Sequence, residues 1–367
     1  MSFNYIARNQ RMADRLESAD VVAVALVPGA NMRYFTGVAM HPSERPTVVL
    51  LGADKRAVIV PQLEMPVWES ACRELDIEPF VWTDAGGFAS AFKAAVAALG
   101  CDGCRLGVDG REMRVFEYLA LEATGAALID VAADLLAIRA IKTPEEVDAI
   151  RRAIDISQRA LERTIDAIRP GLSERTIADK LERHLREMGA EGLAFETLVQ
   201  TGVNSAVPHG HVSERIWRAG ELLLIDFGGL WAGYPADITR TFCAGEPDVT
   251  TGDIYRTVLE ANRAAIAQCA PGRKAGEIDR AAREVIERAG YGQYFTHRTG
   301  HGMGLAVHEQ PDIAPDNDTI LQAGMVFTIE PGIYLPHLGG VRIEDNILIT
   351  PDGAEVLTNY PKGNFSL

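Results

Sequence analysis

Hydrophobic positions follow two periods along the chain. Val21–Val27, Thr47–Leu51 and Ala57–Val60 are short runs rich in β-branched residues and predict strands. Phe88–Leu99 and Val115–Thr124 repeat apolar residues at helical spacing. Residues 1 to about 135 therefore predict an α/β unit with its own core, holding few convergent titratable residues. Thr143-Pro144-Glu145-Glu146 then opens an amphipathic run to about Ile168. Thr143 can cap this helix, Pro144 suits its first position, and Glu146 completes a capping box. The domain boundary is expected just before it, giving segments 1–138 and 139–367.

The second segment repeats itself. Pro170-Gly171, Ile177 and Gly189 match Pro271-Gly272, Ile278 and Gly290 at a constant offset of 101. Each Pro-Gly precedes an amphipathic run, Ser173–Met188 or Ala275–Ala289, and each run is followed by a histidine-bearing loop. An apolar run ending in an acid comes next: Ala219-Gly220-Glu221-Leu222-Leu223-Leu224-Ile225-Asp226 in the first copy, Ala323-Gly324-Met325-Val326-Phe327-Thr328-Ile329-Glu330 in the second. A further acid follows each, Asp237 and Glu344. Two α+β halves related by a pseudo-twofold would bring these acids together.

Glycines and prolines between the acids of each pair predict hairpins. A register centred between Trp231 and Ala232 places Asp226 opposite Asp237, at roughly 4.5–5.5 Å. Two ionised carboxylates so close, behind an apolar strand, must share a proton or hold a cation. One such pair is usually a solvated face; two matched pairs in a repeat favour a metal cage. His301, in the glycine-rich loop Thr299–Gly304, can approach that cage closely, and His308 and His209 recur beside the acid hairpins. His184 and His41 are expected to be structural. Four carboxylates with one imidazole suit Mn²⁺, Co²⁺, Zn²⁺ or Fe²⁺. Such a set suits two ions about 3.5–4 Å apart, which acidify a shared water and clamp the attacked carbonyl. The implied chemistry is metal-assisted hydrolysis.

Composition narrows the partners. A formal charge of -15 argues against nucleic acid and anionic membrane surfaces. Met1–Asp20 has no apolar core of signal-peptide type, and no stretch reaches the roughly 18 apolar residues of a membrane span; a cytoplasmic location is expected. Cys101 and Cys104 lack a second ligand pair and predict a surface turn rather than a zinc site.

At these residues the chain resembles the pita-bread metallopeptidases: prolidase, aminopeptidase P and methionine aminopeptidase. The resemblance runs through Ile225–Gly228, Tyr234–Thr241, His297–Gly304, His308–Pro311, Thr328–Gly332 and Gly340–Asp345. Asn31-Met32-Arg33-Tyr34-Phe35-Thr36-Gly37 resembles the creatinase-like N-terminal domain, which favours the proline-peptidase branch. The resemblance implies an α+β pita-bread catalytic domain of two pseudo-symmetric halves after a smaller α/β N-terminal domain. It implies two divalent ions, manganese foremost, with Asp226 on one, Asp237 and Glu344 bridging, and His301 and Glu330 on the other. Glu330 would also serve as general base, His209 and His308 would bind substrate and move protons, and His297 and Arg342 would line the substrate end. Thr239 would support the acids. The implied substrate is an Xaa-Pro dipeptide or short peptide, and the implied assembly a homodimer. Some prolidases carry an arginine just after His-Glu-x-Pro; here Asp312 stands there. That departure favours a longer peptide or a cationic substrate, with Arg342 left as a carboxylate partner. His211 has no assigned role. The alternative is a metallohydrolase of this fold acting on a small non-peptide amide or C–N bond, like creatinase or ectoine hydrolase. A non-catalytic binding module would have lost ligands that are all present here.

Overall fold

An all-apolar strand has to be buried along its whole length, and Ala23–Leu26 is. In a computed structural model that describes residues 3–100, 103–363 and 365–367, the chain divides into units Met1–Ile138 and Arg139–Leu367. Cys101 of the expected cysteine turn lies outside the described residues. The first unit carries a six-stranded mixed sheet in the order Ile77–Trp82, Arg56–Pro61, Val48–Gly52, Ala23–Leu26, Arg105–Val108, Ala127–Asp130. Ala23–Leu26 pairs antiparallel with Val48–Gly52 and parallel with Arg105–Val108. The amphipathic runs form helices Ala89–Ala98 and Val115–Glu122, and Phe92, Ala95 and Val96 join the sheet's core. The Asn31–Gly37 motif closes a short helix, Ala30–Thr36. Gly37 ends it with φ +78, a left-handed conformation that favours glycine, and its N–H donates to the Arg33 carbonyl at 2.8 Å.

In the second unit each half opens with a packed helix pair: Pro144–Ala167 with Glu174–Glu187, then Val249–Gln268 with Ala275–Arg288. Glu146 takes the Thr143 N–H at 2.9 Å, as the capping pattern predicts, and its other oxygen accepts the Tyr234 hydroxyl at 2.8 Å. Ser173 caps the second helix by accepting from the Thr176 N–H at 3.2 Å. Antiparallel sheets follow the pairs. Ile238–Cys243, Leu222–Phe227 and Leu198–Thr201 form the first. Glu309–Ile313, Gly300–Gly302, Val326–Ile329, Asp345–Thr350 and Gly353–Val356 form the second. Among the described residues no helix is long and apolar enough to cross a membrane.

The first acid hairpin departs from the expected register. Thr239, not Asp237, faces Asp226, and Asp237 lies just outside the paired segment. The turn is Ala232-Gly233, with φ +51 and +82, the left-handed pair of a two-residue hairpin. Its centre is one residue later than a midpoint between the two acids requires, which shifts every pairing by two. The strands also close tightly at Gly228, where a Cβ would lie 1.8 Å from the Ala236 carbonyl oxygen. In the second hairpin Gly332 faces Arg342, and beyond the interruption Ile329 faces Asp345. Both ladders keep one register, and Glu330 and Glu344 lie in the interruption between them.

Candidate metal centre

Strand ends from both sheets deliver polar side chains to one cavity of about 490 Å³. Its wall includes the nine residues expected to hold metal, bind substrate or move protons: His209, Asp226, Asp237, His297, His301, His308, Glu330, Arg342 and Glu344. Phe195, Pro208, Arg298 and Val307 complete it.

Carboxylates and imidazole converge at its base. His301 Nε2 lies 3.5 Å from Asp237 Oδ2 and 3.4 Å from Glu330 Oε1. One ligand atom each from Asp237, His301 and Glu344 lie within 4.8 Å of one another. Gly300 permits the approach of the His301 strand, since a Cβ there would meet the Thr328 carbonyl oxygen at 1.8 Å. Two threonines orient the acids. Thr239 Oγ1 donates to Glu344 Oε2 at 2.7 Å, and Thr328 Oγ1 donates to Glu330 Oε1 at 3.2 Å while accepting the His301 N–H at 3.1 Å. Sequence reasoning found Thr239 and missed Thr328. Both sit two residues from an acid, a spacing that puts alternate strand residues on one face.

Burial and mutual repulsion set the charges. Burial first, then Asp226 and Glu330, push Asp237 well above the ordinary carboxylate range. Burial, then Asp237, Glu330 and Asp226, do the same to Glu344. Glu330 is raised to about 7, mainly by burial and against the pull of Arg342. Burial, with His308 nearby, lowers His301 to about 3. Its Nδ1–H donates to the Gly302 carbonyl at 3.1 Å, which turns the lone pair of Nε2 toward the acids. A neutral imidazole lone pair aimed at carboxylates is repulsive unless a proton or cation lies between them. Asp226 Oδ1 is buried without a hydrogen-bond partner among the described residues. The donor set, four carboxylates and one properly oriented imidazole nitrogen, therefore fits divalent metal.

Arg342 lines the cavity with its guanidinium turned toward the acids. Its Nη2 donates to Asp226 Oδ2 at 2.5 Å, Nη1 to the Tyr334 hydroxyl at 2.9 Å and Nε to Thr239 Oγ1 at 3.1 Å. Tyr334 in turn donates to His297 Nε2 at 2.8 Å, and His297 Nδ1–H donates to the Arg298 carbonyl at 2.7 Å. Both His297 nitrogens are thus engaged, and burial lowers this ring to about 4. The side chains of His301 and His308 meet edge to face, with centroids 4.2 Å apart. His184 is buried and bonded to Thr164 Oγ1 at 2.8 Å; His211 is exposed, 3.9 Å from Glu196.

Glu309, the residue after His308, is a further group the sequence left unassigned. It accepts from Arg139, from Lys142 Nζ at 3.3 Å and from the Ala306 N–H at 3.0 Å. All three charged side chains are buried. Burial alone would raise the Glu309 carboxyl, but Arg139 and Lys142 outweigh it and hold the group below its usual value. Because Glu309 also pairs with Gly302 across the strands, it ties the chain after His301 to the chain after His308. Glu309→Ala would remove the buried carboxylate that Arg139 and Lys142 share, and should cost about 3–5 kcal/mol of stability. Urea unfolding checks this; an unchanged midpoint would contradict a fully desolvated triad.

Both parts of the chain are similar to known proteins. Residues 148–351 match the model of metallopeptidase family M24, and residues 8–141 that of the creatinase/prolidase N-terminal domain. An uncharacterised peptidase of Staphylococcus aureus is 34% identical over 358 residues, 96% of this chain and 99% of the relative. An Xaa-Pro dipeptidase of Pyrococcus furiosus is 47% identical over 229 residues, 62% of this chain and 65% of the relative. The crystal structure of a prolidase from Thermococcus sibiricus superposes with a TM-score of 0.93 at 33% identity, covering 100% of both chains.

Proposed function

The chain belongs to metallopeptidase family M24, and on that premise we propose that it hydrolyses the Xaa-Pro bond of dipeptides or short peptides. The observation that carries the reading is the convergence of four acids and His301 at the base of one cavity. Asp226 would hold one divalent ion and His301 with Glu330 the other, with Asp237 and Glu344 shared between them. Manganese is the first candidate, ahead of cobalt, zinc and iron. When bound, such a pair supplies Lewis acidity, acidifying water and polarising the carbonyl under attack.

The chain's own residues do the rest. Glu330, with Oε1 held by Thr328, takes the proton from the attacking water as general base. His308 is kept below its usual value by burial, with Arg298 adding to the effect. Its neutral ring can bind the substrate carbonyl and relay the proton taken up by Glu330 to the departing proline nitrogen. His209, on the same cavity wall, holds the substrate and shares that proton traffic. Thr239 and Thr328 keep Glu344 and Glu330 oriented. His297 and Arg342 shape the substrate wall, and their hydrogen-bond chain through Tyr334 keeps that wall rigid. A homodimer and a cytoplasmic location complete the proposal; sedimentation tests the first and cell fractionation the second.

Turnover of matched Xaa-Pro and Xaa-Ala peptides by manganese-loaded protein tests the specificity. Preferential cleavage before proline is expected. Failure on both, with metal retained, would instead favour a small non-peptide substrate.

A further inference from the structure

Arg298 and Asp312 form a pair that neither hairpin requires. Arg298 lines the same cavity as the candidate ligands, and its Nη1 donates to Asp312 Oδ1. Asp312 is the cross-strand partner of His301; directly opposed residues in antiparallel strands share a face. The Asp312 backbone is anchored by Asn317, whose Nδ2 donates to its carbonyl at 2.5 Å. The Arg298 carbonyl is held by His297. Both side chains remain partly accessible, at 35% and 48%. The pair is therefore fixed at its base, with side chains partly open to solvent.

Arg342 cannot act as a free anchor for a substrate carboxylate. All three of its nitrogens are engaged, and its side chain is only 4% exposed. Arg298 is the remaining guanidinium on the cavity wall among the described residues. A guanidinium carries five N–H donors, and the bond to Asp312 uses one nitrogen, Nη1. The others can serve a substrate oxygen. Asp312 decides which kind of oxygen. It cancels the long-range attraction of Arg298 for anions, and a free carboxylate docking there meets a second carboxylate on the same guanidinium. A neutral amide carbonyl meets no such repulsion.

We propose that Arg298 and Asp312 determine substrate length: together they accept an uncharged amide beyond the cleaved bond and disfavour a substrate that ends there in a free carboxylate. The inference rests on the prolyl-peptidase reading above and adds to it a preference for longer or C-terminally blocked peptides over free dipeptides. Asp312 acts through Arg298 as a positioning and charge-setting residue.

The test compares kcat/KM for an Xaa-Pro dipeptide and its C-terminal amide, two substrates of nearly the same shape that differ by one charge. Manganese-loaded wild-type protein should favour the amide by about tenfold or more, since like charges brought together disfavour the wrong partner. Asp312→Asn should remove most of that preference by lowering KM for the free dipeptide. Arg298→Gln, which leaves Asp312 uncompensated, should move the ratio the opposite way. A purely structural role would slow both substrates equally. An unchanged ratio in Asp312→Asn and in Arg298→Gln would overturn the inference while leaving the peptidase reading intact. Cleavage of neither substrate by the metal-loaded wild type would overturn the prolyl reading, and the inference with it.

Discussion

Asp237→Asn should abolish metal binding and turnover together. Asp237 is buried at the meeting point of the two halves' acids, with Oδ2 3.5 Å from His301 Nε2. Burial and its acidic neighbours already hold its carboxyl far above the ordinary range, so the side chain is stable there only with a proton or a cation. An amide of the same shape offers one neutral oxygen and cannot neutralise cation charge. Loss of kcat/KM by at least about 10³-fold, or roughly 4 kcal/mol of transition-state stabilisation, is expected, with bound metal falling in parallel. The fold should survive, because the substitution removes a buried charge and keeps the volume. Elemental analysis of the purified variant beside its peptide turnover checks both halves. Full activity, or full metal content without activity, would remove Asp237 from the shared position.

His308→Ala should separate what Asp237→Asn joins. The imidazole lies on the cavity wall with its ring against that of His301, and it is not one of the five residues proposed to hold metal. Metal content should therefore remain near that of the unmodified protein. Removal of a positioned proton donor usually costs about 10²–10⁴-fold in rate, and the loss should appear mainly in kcat. Unchanged kinetics would take His308 out of the reaction; loss of metal would make it part of the cage.

Much of this architecture was legible because local chemistry and global fold agree. Thr143, Pro144 and Glu146 mark a helix start by capping alone, and the structure begins a helix at Pro144. The duplicated Pro-Gly, helix and apolar-acid pattern exposed the two halves. The register of the first hairpin was less legible. It turns on Ala232 adopting φ +51, a conformation a non-glycine residue does not advertise, and the symmetry of Asp226 and Asp237 about a different midpoint pointed elsewhere. The orientation of Arg342 was hidden for another reason. A long side chain can reach either way from its strand, and only the positions of Tyr334, Thr239 and Asp226 decide that it turns inward. Arg298 with Asp312, and Arg139 and Lys142 with Glu309, join residues far apart in sequence or across an irregular strand pair. No periodicity encodes such partners.

The central claim is that the cage residues hold a pair of divalent ions on which peptide hydrolysis depends. The most direct measurement is a titration of manganese into chelator-stripped protein, following bound metal and Xaa-Pro peptide turnover in the same samples. The account predicts negligible turnover in the stripped protein, recovery on adding metal, and saturation at two ions per chain. Turnover that persists undiminished after complete removal of metal would contradict it.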